Sequence, residues 1–535
     1  EEADAHFTDG IHDEILTRLS QIQDLRVISR QSVMQFRESA APAGEIAEAL
    51  GVRYLIEGGL LRAGDSVRLN VQLVDAHLDE TAWAASYDRD LSMANLLAIQ
   101  AEVATTIADT LQATVTPAER AALTRPETEN LEAYDFYLQG RSYFLRPGYQ
   151  RDDFEAAAEL FARSIEEDPD FALAHASLSR VHGLMYWERF DPTEARLEEQ
   201  RREAETALAL QPDLPQAHVA IGWMHYVQGD FRQALEEYST ALAGIPNDAE
   251  VVANIGYTHR RLGNWPEVYA AFLRATELNP RDANLFYDLG GHSYGSTRRY
   301  AEAAAAYESA LELAPDLYDA ALARGTTFIH WQGQLDSLRA AVAALPETLQ
   351  SPEILLGRLE LALWERDGEA LLRLVDAAPS PVLTTQVAYV PTALYAAWAH
   401  RMLGEPDQAA AEFDVARRIL EAAVEDRPTD ERILLALGFT YAGLERPDDA
   451  ERMVSRAIQS WQLARDALSG LQTVEDAARV LAQAGLVDQS LYQLERVLEG
   501  VSPVSGNTLA LDPLLDPVRG DPRFEALMEA HAPSS

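Results

Sequence analysis

Residues 249–280 read AEVVANIGYTHRRLGNWPEVYAAFLRATELNP, and this stretch decides the fold. Its first half places apolar and small residues on one helix face, at the i, i+3, i+4, i+7 spacing of Val252, Ile255, Gly256 and His259. Gly263 then interrupts the helical pattern, a second amphipathic pattern follows, and Pro280 ends it. The stretch therefore predicts two amphipathic helices joined by a short turn.

This two-helix pattern repeats along the chain with a period near 34 residues. Three residue types keep the register: glycine at Gly222, Gly256 and Gly290; alanine at Ala207, Ala241, Ala275, Ala310 and Ala344; and proline at Pro212, Pro246, Pro280 and Pro315. Small residues let the backbones of paired helices approach closely, because a large side chain between them would force them apart. The period predicts an array of stacked helix pairs.

Composition and charge limit the possible partners. The chain has 535 residues with 86 acidic and 44 basic side chains, so its formal net charge is 44 − 86 = −42. Apolar residues make up 47%, which is enough for a packed core. A strongly acidic chain repels phosphate backbones, so we predict no nucleic-acid partner. No apolar run approaches the ~20 residues of a membrane-spanning helix, so we expect a soluble chain without a membrane span.

Two missing residue types narrow the chemistry. The chain has no cysteine, which excludes thiol nucleophiles, iron–sulfur clusters and cysteine-based zinc sites. It also has no lysine, since all 44 basic residues are arginine. This excludes the lysine of a P-loop, of a Schiff base and of a protein kinase. We therefore predict no cofactor.

One motif formally matches the serine-hydrolase signature G-x-S-x-G, namely Gly291-His292-Ser293-Tyr294-Gly295. That signature requires a serine on a sharp turn from a strand to a helix. The repeat register instead places all five residues inside the first helix of a unit. Paired acids such as Glu198-Glu199 are predicted to be solvated surface. We predict no catalytic site and no enzyme activity.

Two pairs of histidines are candidate metal ligands, but the spacing within each pair does not suit one ion. His175 and His182 are seven residues apart, as are His218 and His225, at equivalent positions of consecutive repeats. Seven residues correspond to two helical turns, about 10.5 Å, which is too far for one ion to bind both rings. We predict that these histidines pack in the helix pairs and that the chain has no metal site.

Residues at further positions of the repeat match the sequence pattern of the tetratricopeptide repeat family, which this segment resembles. The matching residues are Gly222, Ala234, Tyr238, Ala241 and Pro246 in one unit, with Gly256, Phe272, Ala275, Leu289, Gly290, Ala303, Tyr307, Ala310, Gly404, Ala409, Phe413, Ala416, Leu437, Gly438, Tyr441, Ala450 and Ala457 in later units. The array is assigned to residues 121–500, with about nine or ten units and a degenerate stretch at 316–385. The resemblance implies a mainly α fold, a right-handed superhelical solenoid that binds a protein or peptide ligand.

In that family, residues two, five, nine and twelve of each first helix line a concave groove. Three regular units supply twelve such positions, and five of them are Trp or Tyr although aromatic residues make up 8% of the chain. Aromatic residues and arginine dominate protein-binding hot spots. The predicted groove comprises Gln216, Val219, Trp223, Tyr226, Tyr257, Arg260, Arg261, Tyr287 and Tyr294. The alternative is that some of these rings pack between neighbouring repeats.

Residues 1–120 have a different pattern and predict a small α+β domain with an antiparallel meander. The predicted elements are, in chain order, a helix at His12–Ile22, a short β-rich run at Leu25–Ser29, a helix at Glu45–Leu50, strands at Arg53–Leu61, Ser66–Val74 and Thr81–Tyr87, and a helix at Met93–Ala113.

Short phrases in this domain resemble the TolB-like or FlgO-like domain that precedes tetratricopeptide repeats in many bacterial proteins. They are FTDG at 7–10, LRVISR at 25–30, LGVRYLIEG at 50–58 and YDRDL at 87–91. Members of that family have a strand upstream of the first phrase, where this chain has only Glu-Glu-Ala-Asp. We therefore expect the first strand to be missing. A longer native polypeptide is the favoured explanation, followed by a strand donated by another chain or a domain closed over the gap.

Together these features predict a non-enzymatic scaffold that binds a protein or peptide along the repeats, with a C-terminal tail at 501–535. One alternative is the regulatory part of a signalling enzyme, since a kinase or nucleotide cyclase domain often precedes such domains in the family. Another is self-assembly into a homo-oligomer or filament, because a solenoid has open ends. The compartment stays open between the bacterial cytoplasm and an extracytoplasmic location.

Overall fold

The computed structural model describes residues 2–28, 32–33, 35–36, 41–63, 66–146, 150–346, 349, 351–385, 387–464 and 467–533. Its N-terminal part is a small α+β domain. The elements are α1 (Glu2–Ser20), α2 (Ala43–Leu50), β1 (Tyr54–Ala63), β2 (Ser66–Asp75), β3 (Glu80–Asp90), α3 (Met93–Thr110) and α4 (Pro117–Leu123).

The predicted meander is confirmed. The three strands pair antiparallel in the order β1-β2-β3, and the register shifts once between Leu73 and Val74. Alternate residues of β2 are buried, as expected for a sheet with one covered face: Val67, Leu69, Val71 and Leu73. These side chains share one core with apolar residues of α1 and α3.

Helix α1 begins at Glu2, earlier than the predicted start near His12. The reason is that Phe7, Ile11 and Ile15 continue one row of buried residues at i, i+4 spacing toward the N-terminus.

The predicted strand at Leu25–Ser29 is wrong for residues 25–28, which lie in no strand of the described chain, and Ser29 falls outside the described residues. The Leu25 carbonyl accepts a hydrogen bond of 2.7 Å from the side-chain amide of Asn247 instead of joining a ladder.

The described residues from 131 onward form ten consecutive helix pairs. They are α5 and α6 (Leu131–Phe144, Arg151–Glu167), α7 and α8 (Ala172–Trp187, Glu194–Leu210), α9 and α10 (Pro215–Gln228, Phe231–Gly244), α11 and α12 (Ala249–Leu262, Trp265–Leu278), α13 and α14 (Ala283–Gly295, Tyr300–Leu313), α15 and α16 (Tyr318–Gln332, Asp336–Ala344), α17 and α18 (Pro352–Trp364, Gly368–Asp376), α19 and α20 (Thr392–Met402, Pro406–Asp426), α21 and α22 (Glu431–Gly443, Pro447–Ala464), and α23 and α24 (Ala467–Gln483, Val487–Glu499).

The C-terminal residues add three short helices after the last pair. They are α25 (Gly506–Leu511), a 3-10 helix (Pro513–Val518) and α26 (Pro522–Ala530). Their apolar side chains share a core with α23 and α24, so this segment covers the end of the array.

In four of the pairs, a glycine of the first helix lies against an aromatic ring of the second. These contacts are Gly140–Phe161, Gly222–Tyr238, Gly256–Phe272 and Gly290–Tyr307, where a Cβ on the glycine would lie 2.8, 2.8, 3.1 and 3.0 Å from the ring. Real Cβ atoms do not pack at such distances without displacing a neighbour. The glycine register in the sequence therefore follows from how closely the helices of a pair approach.

The stretch with the weakest repeat pattern has short second helices. Helices α16 and α18 contain nine residues each, and a two-stranded hairpin, β4 (Val382–Thr384) with β5 (Tyr389–Pro391), follows α18. A Cβ on Gly325 would lie 2.6 Å from the backbone of Leu338 rather than against a ring. This different contact explains why the aromatic position of the repeat is missing here.

The chain divides into two compact units, which we describe separately. Unit 1 comprises Glu1–His259 and Ala270–Asp282, and unit 2 comprises Arg260–Tyr269 and Ala283–Ser535.

Replacing Gly256 by leucine is expected to lower the free energy of unfolding by about 1–3 kcal/mol, because the new side chain would overlap the Phe272 ring and Ala271. Chemical denaturation followed by circular dichroism measures the change. Gly520→Leu is the control, since Gly520 is exposed with open space around its Cα. Equal stability of the two variants would show that the helix register around Gly256 is wrong.

Candidate functional site

The predicted groove residues of unit 1 are Gln216, Val219, Trp223, Tyr226 and Tyr257. Val219 and Tyr226 are buried, while the other three are half-buried. Val219 and Tyr226 therefore offer little surface to a partner.

The aromatic residues of this set contact other rings. Trp223 stacks on Tyr226 with ring centroids 5.4 Å apart, and Trp187 lies edge-on to Trp223 at 5.8 Å. Tyr257 lies edge-on to Phe272 at 5.1 Å. These contacts give the rings a packing role, and their part in partner binding stays a prediction.

The remaining groove residues belong to unit 2. Arg260 and Arg261 are buried, and Arg260 donates a hydrogen bond of 2.7 Å to the imidazole of His292. Tyr287 and Tyr294 are half-buried, and each has another tyrosine ring within 6 Å. The two arginines thus lie inside the array, whereas the two tyrosines keep some exposed surface.

In unit 1, the first helices of the array face the N-terminal helix α1. Arg141 of α5 forms ion pairs with Asp13 and Glu14 of α1, the second at 2.6 Å, and both carboxylates are buried. Beside this contact is a cavity of about 130 Å³, lined by α1 and by residues of the repeats that include Gln216.

Burial raises the pKa values of two acidic groups around this cavity. Burial raises the pKa of Glu14, although Arg141 opposes the shift. Burial, followed by the charge of Glu14, raises the pKa of Glu127 to about 7. The chain's own helix covers this part of unit 1, which leaves little room for a partner.

A second cavity, of about 190 Å³, lies in unit 2, and we call it the unit 2 cavity. Four consecutive first helices line it, α17, α19, α21 and α23, together with hairpin β4–β5 and the C-terminal segment. Its apolar walls are Trp364, Tyr389, Tyr395, Trp398 and Phe439 with Leu356, Leu363, Leu394 and Leu435. Val387 of the hairpin also lines it and is 50% exposed, so the cavity is open to solvent on that side.

Arg479 is the centre of a buried charge network in the unit 2 cavity. Its guanidinium contacts Glu475 at 2.7 Å, Asp476 at 3.0 Å and Asp512 at 2.6 Å, so each of its three nitrogens has a carboxylate partner. Burial raises the pKa of Glu475 to about 7. The negative charges of Asp476, Asp512 and Glu360 add to this shift, and the positive charge of Arg479 only partly offsets it. The network contains more negative than positive charge.

Glu360 of α17 is the exposed carboxylate of the unit 2 cavity. Within the described part of the chain it makes no hydrogen bond or ion pair. The protein around the cavity still raises its pKa to about 7, mainly by desolvation, with Asp476 and Asp512 adding to the shift against Arg479. Glu360 is therefore available to a ligand that brings a hydrogen-bond donor or a positive charge.

Arg432 is the other arginine of the cavity wall. It donates to both carboxylate oxygens of Asp430, at 2.9 and 2.7 Å, and to the carbonyl of Thr385 at 2.7 Å. Like Arg479, it has protein partners for all three nitrogens, and a carboxylate compensates its charge.

The hydrolase motif lies inside a helix, as predicted. Leu289–Gly295 is a π-helical part of α13, and Ser293 is only 2% exposed. A serine at the start of a helix after a strand would be exposed on a turn, and this one is not.

His175 and His218 lie at equivalent repeat positions, and each ring contacts two groups. Nδ1 lies 2.6 Å from a glutamate of the second helix, Glu203 or Glu237, and Nε2 lies 3.0 Å from a proline carbonyl, Pro169 or Pro212. In the described chain, no group of three or more acidic or histidine side chains is arranged to hold a metal ion.

No helix among the residues described is long and apolar enough to span a bilayer.

The unit 2 cavity was missed by the sequence analysis, which selected a groove in the most regular repeats. Two signals could have indicated it. Trp364 and Trp398 lie on consecutive first helices, and Arg432 and Arg479 follow on the next two. The register of the sequence repeat is unclear at 316–385, so Trp364 could not be aligned with positions of the regular units, and the groove was chosen only from the three regular units of residues 215–295.

The family model for the tetratricopeptide repeat matches residues 196–249 and 253–318. This match identifies tetratricopeptide repeats at these residues, and the ten helix pairs give the chain a mainly α repeat fold, preceded by a small α+β domain. The predicted fold class is confirmed. Repeat arrays of this class serve as protein–protein interaction modules.

A curated relative from Rhizobium meliloti (strain 1021), named "Putative adenylate cyclase 3", is 31% identical over 224 residues. The matched stretch is 41% of this chain and spans 38% of the length of that relative.

Solved structures of tetratricopeptide-repeat proteins are similar to parts of the chain. A thermophilic repeat protein from Thermus thermophilus is 19% identical and covers 37% of this chain and 99% of its own, with a TM-score of 0.31. YrrB, described as having an unusual peptide-binding site, is 21% identical over 36% of this chain and 95% of its own, with a TM-score of 0.28. Human IFIT1, solved as a dimer with PPP-AAAA, is 14% identical over 68% and 78%, with a TM-score of 0.37. At these TM-scores the similarities support no functional statement.

Replacing Arg141 by methionine is expected to lower the free energy of unfolding by about 3–5 kcal/mol, because Asp13 and Glu14 would stay buried without a partner. Hydrogen exchange should show faster exchange in α1. Arg163→Met, at an exposed position of α6, is the control. Unchanged exchange in α1 would contradict its placement against α5.

Stability should also depend on pH through Glu475. Its pKa is about 7 in the folded chain against 4.5 ordinarily, so its stabilising contribution is present below about pH 4.5 and lost as pH rises through 7. Glu475→Gln, which stays neutral, should therefore gain about 1–3 kcal/mol relative to the parent between pH 5 and pH 8. Denaturation at both pH values measures this difference, with exposed Glu495→Gln as the control. Parallel profiles for parent and Glu475→Gln would refute it.

Proposed function

We propose that this chain is a non-enzymatic recognition module that binds a segment of a partner polypeptide on the first helices of its repeats. The observation that carries the proposal is the unit 2 cavity, which four consecutive first helices line and which is open to solvent at Val387. Ligand sites in proteins are typically concave, mostly apolar and provided with a few polar groups.

The cavity walls have the composition of a binding hot spot. Half-buried Trp364 and Tyr389 supply apolar surface, and Trp and Tyr are enriched where truncation costs most binding energy. Half-buried Trp364 belongs to the last turn of α17, where its ring lines the cavity. Loss of such a ring typically costs about 2 kcal/mol or more of binding free energy.

Selection from a random library of displayed 12-residue peptides tests this function without assuming which residues the partner segment contains. Enriched peptides should lose at least tenfold in affinity for Trp364→Ala, which corresponds to about 1.4 kcal/mol. They should keep their affinity for Trp331→Ala, a half-buried tryptophan of α15 outside the cavity lining. Fluorescence anisotropy of labelled peptides gives both values.

Two results would contradict the proposal. The first is a selection that enriches no peptide, and the second is an equal loss of affinity in the two tryptophan variants. A loss confined to Trp223→Ala would instead favour the groove predicted from sequence in unit 1, where Gln216 and Tyr257 also keep exposed surface.

A second candidate function is the regulatory part of a signalling enzyme. The 31% identity to the relative named as an adenylate cyclase supports it, and the match spans 38% of that relative. The reading frame before Glu1 in the native gene tests the idea. A cyclase or kinase domain encoded there would support it, and a start codon at that point would contradict it.

The N-terminal domain is proposed to be TolB-like or FlgO-like, with outer strands able to accept a further strand. Within the described residues β1 and β3 each pair on one side only, so each has an edge of unpaired backbone groups. Assembly through such an edge, or through the ends of the array, would give a homo-oligomer. Size-exclusion chromatography with light scattering measures the mass of the chain in solution. A monomer mass that stays constant as the protein concentration rises would contradict self-assembly.

A further inference from the structure

We propose that the unit 2 cavity binds one arginine side chain of the partner polypeptide, with its guanidinium group at Glu360 and its aliphatic stem against the aromatic walls. The inference rests on the proposed function and adds the chemical class of the residue that is recognised.

Charge is the first reason. Three carboxyl groups, those of Glu475, Asp476 and Asp512, contact the guanidinium group of Arg479, and a fourth, that of Glu360, lines the cavity without an ion pair to the described residues. Arg432 and its neighbour Arg427 do not alter this balance, because Asp430 pairs with both and Asp426 lies 3.8 Å from Arg427. The cavity therefore lacks positive charge, and a cation from a partner would supply it.

Hydrogen bonding is the second reason. Each nitrogen of the two cavity arginines already contacts an acceptor in the protein, and carboxylates compensate both charges, so an anionic ligand would have to compete with those carboxylates. The Glu360 carboxylate, by contrast, accepts no hydrogen bond from the described residues. An incoming guanidinium group presents paired N–H donors whose geometry matches a carboxylate.

Size is the third reason. A cavity of about 150 Å³ holds one benzene molecule, whereas pockets for cofactors and drug-sized ligands are about 300–1,000 Å³. The unit 2 cavity, at about 190 Å³, lies between these values. It suits one long side chain of a polypeptide rather than a free nucleotide or cofactor.

The aromatic walls favour arginine over other long side chains. A guanidinium plane stacks on rings, and tryptophan is the best partner for a cation. The chain already uses this contact elsewhere in unit 2, where the Arg299 guanidinium lies 4.6 Å from the ring centroid of Tyr294 and 4.9 Å from that of Tyr269. In the cavity, the Arg427 guanidinium already lies 4.8 Å from the Tyr389 ring centroid, and half-buried Trp364 offers a surface of the same kind to a partner's arginine.

Calorimetric titration of the full chain with two blocked pentapeptides tests the inference. Both have the sequence Gly-Ser-X-Ser-Gly, with X either arginine or citrulline, its neutral isostere. The arginine peptide should bind at least tenfold more tightly to the parent chain, as expected for a hydrogen bond to a charged group. Glu360→Gln should remove this preference. Glu353→Gln, an exposed glutamate of the same helix outside the cavity lining, should keep it.

Each other outcome overturns the inference in a recognisable way. Equal binding of the two peptides, or a preference that Glu360→Gln leaves intact, would show that the cavity does not read positive charge at Glu360. Binding of neither peptide would have the same consequence. The library selection distinguishes these failures from failure of the proposed function. If it enriches peptides that lack a basic residue and still depend on Trp364, the chain recognises peptides, but arginine is not the residue that it recognises.

Discussion

The close approach of two helices at a glycine is the contact on which the array depends. At Gly140, Gly222, Gly256 and Gly290 the partner helix places an aromatic ring where a Cβ would otherwise be. This contact sets the distance between the helices of a pair and leaves the remaining faces for neighbouring pairs. In these four pairs, the position of the first helix on the second, and of the side chains that the first helix presents, follows from the same contact.

The two units use their first helices differently. In unit 1, α1 packs on α5 through the buried ion pairs of Arg141 with Asp13 and Glu14. In unit 2, the C-terminal segment contacts α23 through the ion pair of Asp512 with Arg479, and a cavity open to solvent remains beside α17, α19 and α21. Glu360, Asp476 and Asp512 line this cavity and make it acidic. A partner that supplies positive charge would relieve the electrostatic cost of that arrangement.

Much of the fold could be predicted from the sequence, because helix pairs and meander strands are determined by local periodicity. The register of Gly222, Gly256 and Gly290 predicted the array, and the strand pattern of Ser66–Val74 predicted the central strand, which is observed at Ser66–Asp75. Contacts between distant residues were not predictable in this way. The hydrogen bond from Asn247 to the Leu25 carbonyl lies in the predicted β-rich run, and the unit 2 cavity combines a helix of the degenerate stretch with three later helices, a hairpin and the C-terminal segment. The groove chosen from regular units included Tyr226 and Arg260, which pack inside the array.

Fluorine NMR of the chain labelled with 5-fluorotryptophan tests the central claim most directly, because each of its eight tryptophans gives its own resonance. On addition of the arginine pentapeptide, the account predicts shifts at Trp364 and Trp398, assigned by single substitutions, while the other six resonances stay in place. Shifts at Trp187 and Trp223 with none at Trp364 and Trp398 would contradict it, since they would place recognition in unit 1. A spectrum that the peptide leaves unchanged at every tryptophan would contradict it as well.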